Sequence, residues 1–413
     1  MMTAGTPAID NSNLKAQLRR SERRRKWGAF LLVAPLALFL LIAFVFPIGN
    51  MLWRSVDNSE LSQAMPQSAQ LLLAWDGQQV PDEVLYATFA KELKSSVDTG
   101  GIGTVGRRLS YEDPTLRTLL SQAVRKLPDE PKGTWQETFK TINPRWAEVD
   151  TWKLIKRTAP EMTDRYLLAS IDKERNLDNT VVSVAPEKRV YLSVFWRTLV
   201  IAGGVTLFCL LLGFPLAYLL STLSVGASNL LMIFVLLPFW TSLLVRTAAW
   251  IVLLQSGGLV NKALIGMGFI DQPIELVFNR FGVFVAMVHI LLPFMVLPLY
   301  SVMKGISPHY QRAAVSLGAH PFAAFWQVYV PQTLSGVGAG TILVFIMALG
   351  YYITPALLGG PADQMVSYYV AYYTNTTNNW GMAAALGALL LIMTLLLYVV
   401  YQRLVDNQNT TRR

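Results

Sequence analysis

The sequence predicts an all-α polytopic membrane protein with six transmembrane helices and a large, mostly helical extracytoplasmic insert between helices 1 and 2. Three observations predict it. Of 413 residues, 53% are hydrophobic and only 15% are charged, where soluble domains carry about 25% charged residues. Six apolar runs approach or exceed the length of about 20 residues that a spanning helix needs. The basic residues behind the net charge of +9 collect at the ends of those runs. The same composition excludes a disordered chain, because there is ample apolar surface to bury. One cysteine, Cys209, excludes a disulfide framework and a thiolate zinc site, and three histidines leave little for metal chemistry.

Residues 1–26 form a basic cytoplasmic tail, with Lys15, Arg19, Arg20, Arg23, Arg24, Arg25 and Lys26 just ahead of the first apolar run. Residues 27–53 carry no charge. The run far exceeds a signal-peptide core of about 7–15 residues, and no small-residue cleavage site follows it, so it reads as an uncleaved first span. Residues 54–190 form the insert. Between Arg54 and Arg189 it holds 19 Lys/Arg and 20 Asp/Glu, most of the charge of the chain and none of its net charge. At about 135 residues it is long enough for a core of its own. Val84–Leu93 and Trp152–Ile155 show apolar residues at helical spacing. Residues 191–403 form a five-helix transmembrane core, with spans near 198–223, 228–254, 282–303, 336–358 and 382–402, and residues 404–413 form a second cytoplasmic tail. Charge sets the orientation. The cytoplasmic segments would hold the seven N-terminal basic residues, Lys304, Arg312, Arg403, Arg412 and Arg413, and the short outer loops only Lys262 and Arg280. That bias places both termini in the cytoplasm, and a long translocated domain does not disturb it.

Gly101, Gly103 and Gly106 match the spacing of a dinucleotide-binding turn. No buried strand precedes them, and Arg107-Arg108 stands where a phosphate-binding loop has Lys-Ser/Thr, so the run is expected to be a loop and the chain to carry no ATP site.

The most informative stretch is the cytoplasmic loop 304–335. Ser307-Pro308 is a helix start. Tyr310, Ala313, Ala314 and Leu317 then share one face. Gly318 suits the left-handed residue that closes a helix. His320-Pro321 restarts one, with Phe322, Phe325, Trp326 and Tyr329 on a common face, and Pro331 is expected to end it before the next span. From the residues alone this is either a surface hairpin lying on the bilayer or a docking element whose small residues let another backbone approach.

Arg312-Ala313-Ala314, Gly318, Val328 and Pro331 fall at the spacing of the Glu-Ala-Ala loop of bacterial ABC importer permeases, and the sequence resembles that family. Phe214–Ser221, Leu237–Asn261 and Asn378–Tyr398 resemble its polyamine (spermidine/putrescine), opine and phosphonate branch. The resemblance covers the first span and about residues 190–405 and leaves the insert outside. It implies the fold of a type I importer permease, with Arg312, Ala313, Ala314, Gly318, Ala319, Val328 and Pro331 forming the ATPase-coupling loop. It also implies the partners: an ATP-binding cassette subunit, a second permease subunit (identical or different) and an extracytoplasmic substrate-binding protein. Arg312 replaces the family glutamate, so an ion pair at that position does not transfer.

Arg246 is the one charge inside an expected span. It is either a substrate-pathway residue or a snorkelling side chain near the end of its helix. Trp240, Trp250, Tyr351 and Tyr352 either line the pathway or form interfacial belts. Asp363 and Tyr368–Tyr373 sit in the last outer loop, where a substrate or binding protein would arrive. His289 is expected to be packed and hydrogen-bonded. An ion-coupled transporter is disfavoured because the only acids between Arg197 and the C-terminal tail are Asp271, Glu275 and Asp363, all in loops. A receptor that uses the insert as sensor lacks a cytoplasmic output domain. The basic cluster reads as an orientation signal that also meets anionic membrane lipid, not as a nucleic-acid site. No cofactor, no metal site and no catalytic residue is expected.

Overall fold

A computed structural model describes residues 11–131 and 133–410, so Arg412 and Arg413 lie outside the described residues. The chain divides into two units, Met1–Trp53 and Arg54–Arg413. The first is a helix over Asn11–Leu40 that passes through a π-helical turn, Leu41–Val45, into Phe46–Trp53. Within it, Arg25–Trp53 is long and apolar enough to cross a membrane, and its apolar side chains are exposed. The π turn has a cause. Pro47 follows it by two residues, and a proline inside a regular helix collides with the carbonyl four residues back; here the Phe46 N–H reaches Leu41 O instead, which widens the turn.

The insert is mostly helical, with helices at Glu60–Ala64, Pro66–Ala74, Glu83–Asp98, Gly101–Glu112, Pro114–Lys126, Trp135–Ile142, Val149–Lys156 and Arg165–Ala169. One antiparallel hairpin pairs Lys173–Arg175 with Val181–Ser183, in the register Lys173 opposite Ser183. Local chemistry starts the helices: Asp82 caps Glu83–Asp98, Asp113 caps the helix that opens on Pro114, and Thr134 caps Trp135–Ile142. The core is an aromatic cluster of Tyr86, Phe89, Phe139, Trp146 and Trp152, surrounded by leucines. Two of the polar edges meet on one carbonyl, while the Trp146 Nε1–H is buried without a partner. Tyr86 O–H donates to Trp146 O, and Trp152 Nε1 donates to the same carbonyl at 2.8 Å. A second, charged centre lies beside the aromatic one. Glu112, 2% exposed, is paired with Arg108 at 2.9 Å and Arg165 at 2.7 Å, and Asn58 Oδ1 accepts from Arg108 Nε at 2.5 Å.

The glycine-spaced run is not the expected loop. Gly101–Glu112 is a helix, entered from Gly100 in the left-handed region at φ +74. Two of its glycines face neighbours: a Cβ at Gly101 would lie 3.0 Å from the Ala64 Cβ, and one at Gly106 would touch Arg117 and Leu120 at 3.7 Å, while one at Gly103 would meet nothing within 4 Å.

Five further helices are long and apolar enough to span: Tyr191–Thr222, Leu243–Gly266, Arg280–Lys304, Pro321–Leu349 and Trp380–Arg403. The second, fourth and fifth spans pack together as the centre of the bundle. Small residues make that possible. Gly213 and Gly340 both face Met295, and Gly336 faces Val302. Two expected spans are corrected. The continuous helix at 228–254 is broken: Val225–Leu236 gives way to a 3₁₀ turn at Leu237–Trp240, and Ser242 caps a new helix, Leu243–Leu254. Pro238, with no N–H and a ring in the way, explains the break. The fifth span begins at Pro321, well before residue 336, and stops at Leu349, so Ile353–Leu358 is a separate short helix after Gly350.

Candidate functional site

The hairpin between the fourth and fifth spans is built as its residues suggest at its first end and differently at its second. His309–Ser316 is helical, and Ser307 Oγ accepts the His309 N–H at 3.4 Å. The helix closes in a Schellman motif: Gly318 has φ +94, its N–H reaches Val315 O at 3.0 Å, and Ala319 N–H reaches Ala314 O at 3.1 Å. His320 Nδ1 then accepts Phe322 N–H at 3.3 Å and Pro321 takes the first helical position. Pro331 does not end this helix. A π turn at Phe325–Tyr329, with Val330 N–H on Phe325 O, widens the backbone ahead of the proline, and the helix runs on into the fifth span. The same device precedes Pro47. The second helix of the hairpin is therefore continuous with the fifth span.

Its tip is apolar and open. Leu317 is 89% exposed, and Tyr310, Val315, Phe322 and Trp326 are exposed around it, while Arg312 and Ala313 are exposed on the first helix. Behind them Phe325 stacks on Tyr329, and both rings meet Tyr218 of the second span edge-on. Val328 and Pro331 are half-buried. The tip thus exposes a contiguous apolar surface on a braced base, which sets it apart from a core helix.

A second group forms inside the bundle. Trp250 Nε1 donates to His289 Nδ1 at 3.2 Å, tying the third span to the fourth. Arg246 lies near enough to His289 and Tyr351 for its charge to act on both. Its Nε and Nη1 are buried and have no hydrogen-bond partner. Thr247 Oγ1 and Thr354 Oγ1, 3.4 Å apart, bridge the same helix to Ile353–Leu358. Of the residues expected along a pathway, the structure thus gathers Arg246, Trp250 and Tyr351. Trp240 stands apart at 79% exposure, and Tyr352 is also exposed. The group thus includes two buried guanidinium donors without a partner, which in a low-dielectric interior is costly. His289 was not legible as a member, because it lies 39 residues from Trp250 and carries no motif.

In the last loop, Asp363 is buried and its carboxylate is engaged by Arg280 Nε at 2.9 Å and Gly360 N–H at 3.3 Å, so it closes two loops together. Tyr368 and Tyr372 stack with ring centroids 6.4 Å apart and 18° between planes.

Against known proteins, residues 193–409 match the family described as binding-protein-dependent transport system inner membrane component. The spermidine/putrescine transport system permease protein PotB of Haemophilus influenzae is 36% identical over 215 residues, 52% of this chain and 75% of that protein. Its Escherichia coli counterpart is 34% identical over 227 residues, 55% of this chain and 82% of that one. The E. coli inner membrane ABC transporter permease protein YdcU is 31% identical over 220 residues, 50% and 70% respectively. With its six candidate spans, the chain belongs to the binding-protein-dependent inner membrane permeases and is a multi-pass permease subunit of an ABC importer.

Proposed function

We propose that this chain forms half of a translocation pathway for polyamine-like or related small solutes and is driven by a separate ATP-binding cassette subunit through the hairpin 304–335. A second permease subunit completes the pathway, and an extracytoplasmic binding protein delivers the solute. Both termini and the hairpin face the cytoplasm; the insert and the last loop face outward. ATP hydrolysis belongs to the partner. The observation that carries this reading is the hairpin: an exposed Leu317 tip beside the Gly318 turn, fused to the fifth span through the π turn before Pro331. A partner gripping such a tip moves the span with it, so the partner's closure shifts the balance between two pathway states that bind the solute differently.

The substrate class rests on the spermidine/putrescine relatives. The stacked faces of Tyr368 and Tyr372 support it, since aromatic faces attract ammonium groups at about 0.5–2 kcal/mol each. Arg246 pulls the other way and favours a solute with acceptor groups as well.

The test is co-purification from detergent-solubilised membranes. Wild type is expected to bring down the ATPase. Leu317→Glu, which alters an exposed side chain without disturbing the fold, and Gly318→Asp, which strains the left-handed turn, are expected to lose it. Retention of the ATPase by both variants, or its absence from wild type, would overturn the coupling role. Uptake of labelled spermidine by the assembled complex decides the substrate separately.

A further inference from the structure

We propose that Tyr166 is a positioning residue that makes the insert one rigid body with the N-terminal ends of the second and sixth spans, so that a partner pulling on the insert acts on the pathway. This rests on the importer reading above. Tyr166 sits on the short helix Arg165–Ala169, is almost fully buried, and belongs to one apolar cluster with Val194 of the second span, Val366, and Met382, Ala385 and Leu386 of the sixth. Its ring fills the notch left by Gly381: a methyl group there would overlap the ring. The ring has nowhere to retreat. Tyr111 meets it edge-on at 6.4 Å between centroids, and the Arg108 guanidinium lies over it at 5.7 Å. Arg108 is itself fixed by Glu112 and Asn58 in the charged centre of the insert.

Two further fixings flank the wedge. Asp172 takes the N–H groups of Val190 and Tyr191 on Oδ1, both at 3.0 Å, and of Leu192 on Oδ2 at 2.8 Å, and so caps the second span from within the insert. It does so from the left-handed region, at φ +56, a conformation Asn and Asp tolerate better than other side chains with a Cβ. The Arg54 guanidinium lies over the Trp380 ring at 5.5 Å, at the start of the sixth span. The insert is thus held at three points: its first residue, the short helix Arg165–Ala169, and Asp172 just beyond that helix. A domain tethered only through its two ends has no such wedge. Closely packed elements shift as units rather than deform. The second span packs along the fourth, which carries His289.

The experiment compares wild type, Gly381→Ala, Tyr166→Ala, the double variant and Tyr166→Phe. Amide hydrogen exchange on the purified permease is the first readout and needs no partner. Tyr166→Ala and Gly381→Ala are expected to speed exchange in Arg165–Ala169 and in the first turn of the second span; unchanged exchange in both overturns the wedge. The second readout is uptake by the reconstituted complex with binding protein, beside ATP hydrolysis without it. Each single variant is expected to lose about fivefold or more of stimulated uptake, the lower range of coupling between sites, while unstimulated hydrolysis is unchanged. Tyr166→Phe is expected to behave as wild type, and the double variant to be no worse than Tyr166→Ala, because the added methyl then meets no ring. Full uptake in Tyr166→Ala with loosened exchange, or additive losses in the double variant, overturns the positioning role. Exchange as expected with no stimulated uptake in wild type leaves the wedge standing and removes the importer reading it rests on.

Discussion

The insert and the transmembrane bundle are both helical with buried apolar cores, yet only the bundle also exposes large apolar side chains over most of its outer surface. In the insert the large aromatic side chains are inside: Tyr86, Phe89, Phe139, Trp146 and Trp152 are almost fully buried, and the buried charges are paired around Glu112 or, at Glu92 and Asp172, accept backbone N–H groups. In the bundle large side chains lie on both sides. Phe208, Leu211, Leu230, Phe234, Leu244 and Leu396 are exposed, while the interior mixes Ile201, Leu291, Leu299 and Met295 with the small residues Ala202, Cys209, Ala217, Gly213 and Gly340. The difference is the solvent. Water drives large apolar groups together. Lipid tails are as apolar as leucine and give no such drive, so the spans associate through close backbone approach at small residues.

Three substitutions or conditions test that contrast. The largest effect belongs to the insert core. Trp152→Ala removes a fully buried ring and its hydrogen bond to Trp146 O, and a truncation of that kind costs about 3–5 kcal/mol. Denaturant unfolding followed by tryptophan fluorescence is expected to show the insert unfolding well below wild type. A loss under about 1 kcal/mol would mean the insert is not held by its aromatic core. The bundle breaks in the opposite way, by enlargement. A Cβ at Gly340 already lies 2.7 Å from Met295 Sδ and 3.2 Å from its carbonyl oxygen, so Gly340→Val is expected to cost about 1–3 kcal/mol by overpacking, read as a lowered Tm in detergent. Gly28→Val in the first span, where nothing lies within 4 Å of the added group, is the control and is expected to leave Tm unchanged.

The smallest effect is electrostatic and confined to the insert. Arg175 hydrogen-bonds the Asp164 carboxyl and holds it below its ordinary value of 3.8; Asp113, which burial alone would raise, is pulled below the same value by Thr115 and Arg145. The folded insert therefore binds these protons less tightly than the unfolded chain. The stability that these two carboxyls contribute is full above the unfolded value and is lost as pH falls below it, while Glu60, raised by burial, works the other way. The second to sixth spans carry no acid, so acid titration is expected to loosen the insert before the bundle, as read by fluorescence against helical circular dichroism.

Much of this was legible locally. The apolar runs gave six spans, because membrane helices announce themselves by length and composition. Gly318 gave the closed helix end, since only that residue in the loop fits φ +94 without strain. The loop spacing around Ala313, Ala314 and Gly318 pointed to the family before any fold was known. Other features needed the third dimension. Pro331 read as a helix end, and only the π turn before it shows that the hairpin and the span are one helix. Residues 228–254 read as one apolar run, and only the backbone shows the break at Pro238. Gly101, Gly103 and Gly106 read as a loop, although they lie in a helix whose Gly101 is pressed against Ala64.

By itself the sequence determined which segments prefer lipid and which prefer water, and the charge bias from which an orientation is read, because these depend on composition summed over neighbouring residues. Tertiary structure decided what meets what. It brought Trp250 to His289, set Arg246 beside Tyr351, seated Tyr166 in the notch of Gly381, and lent Asp172 to the second span as a cap. Those contacts join residues tens to hundreds of positions apart, and no local propensity carries them. Only the closing of one folded chain on itself selects which small residue faces which ring.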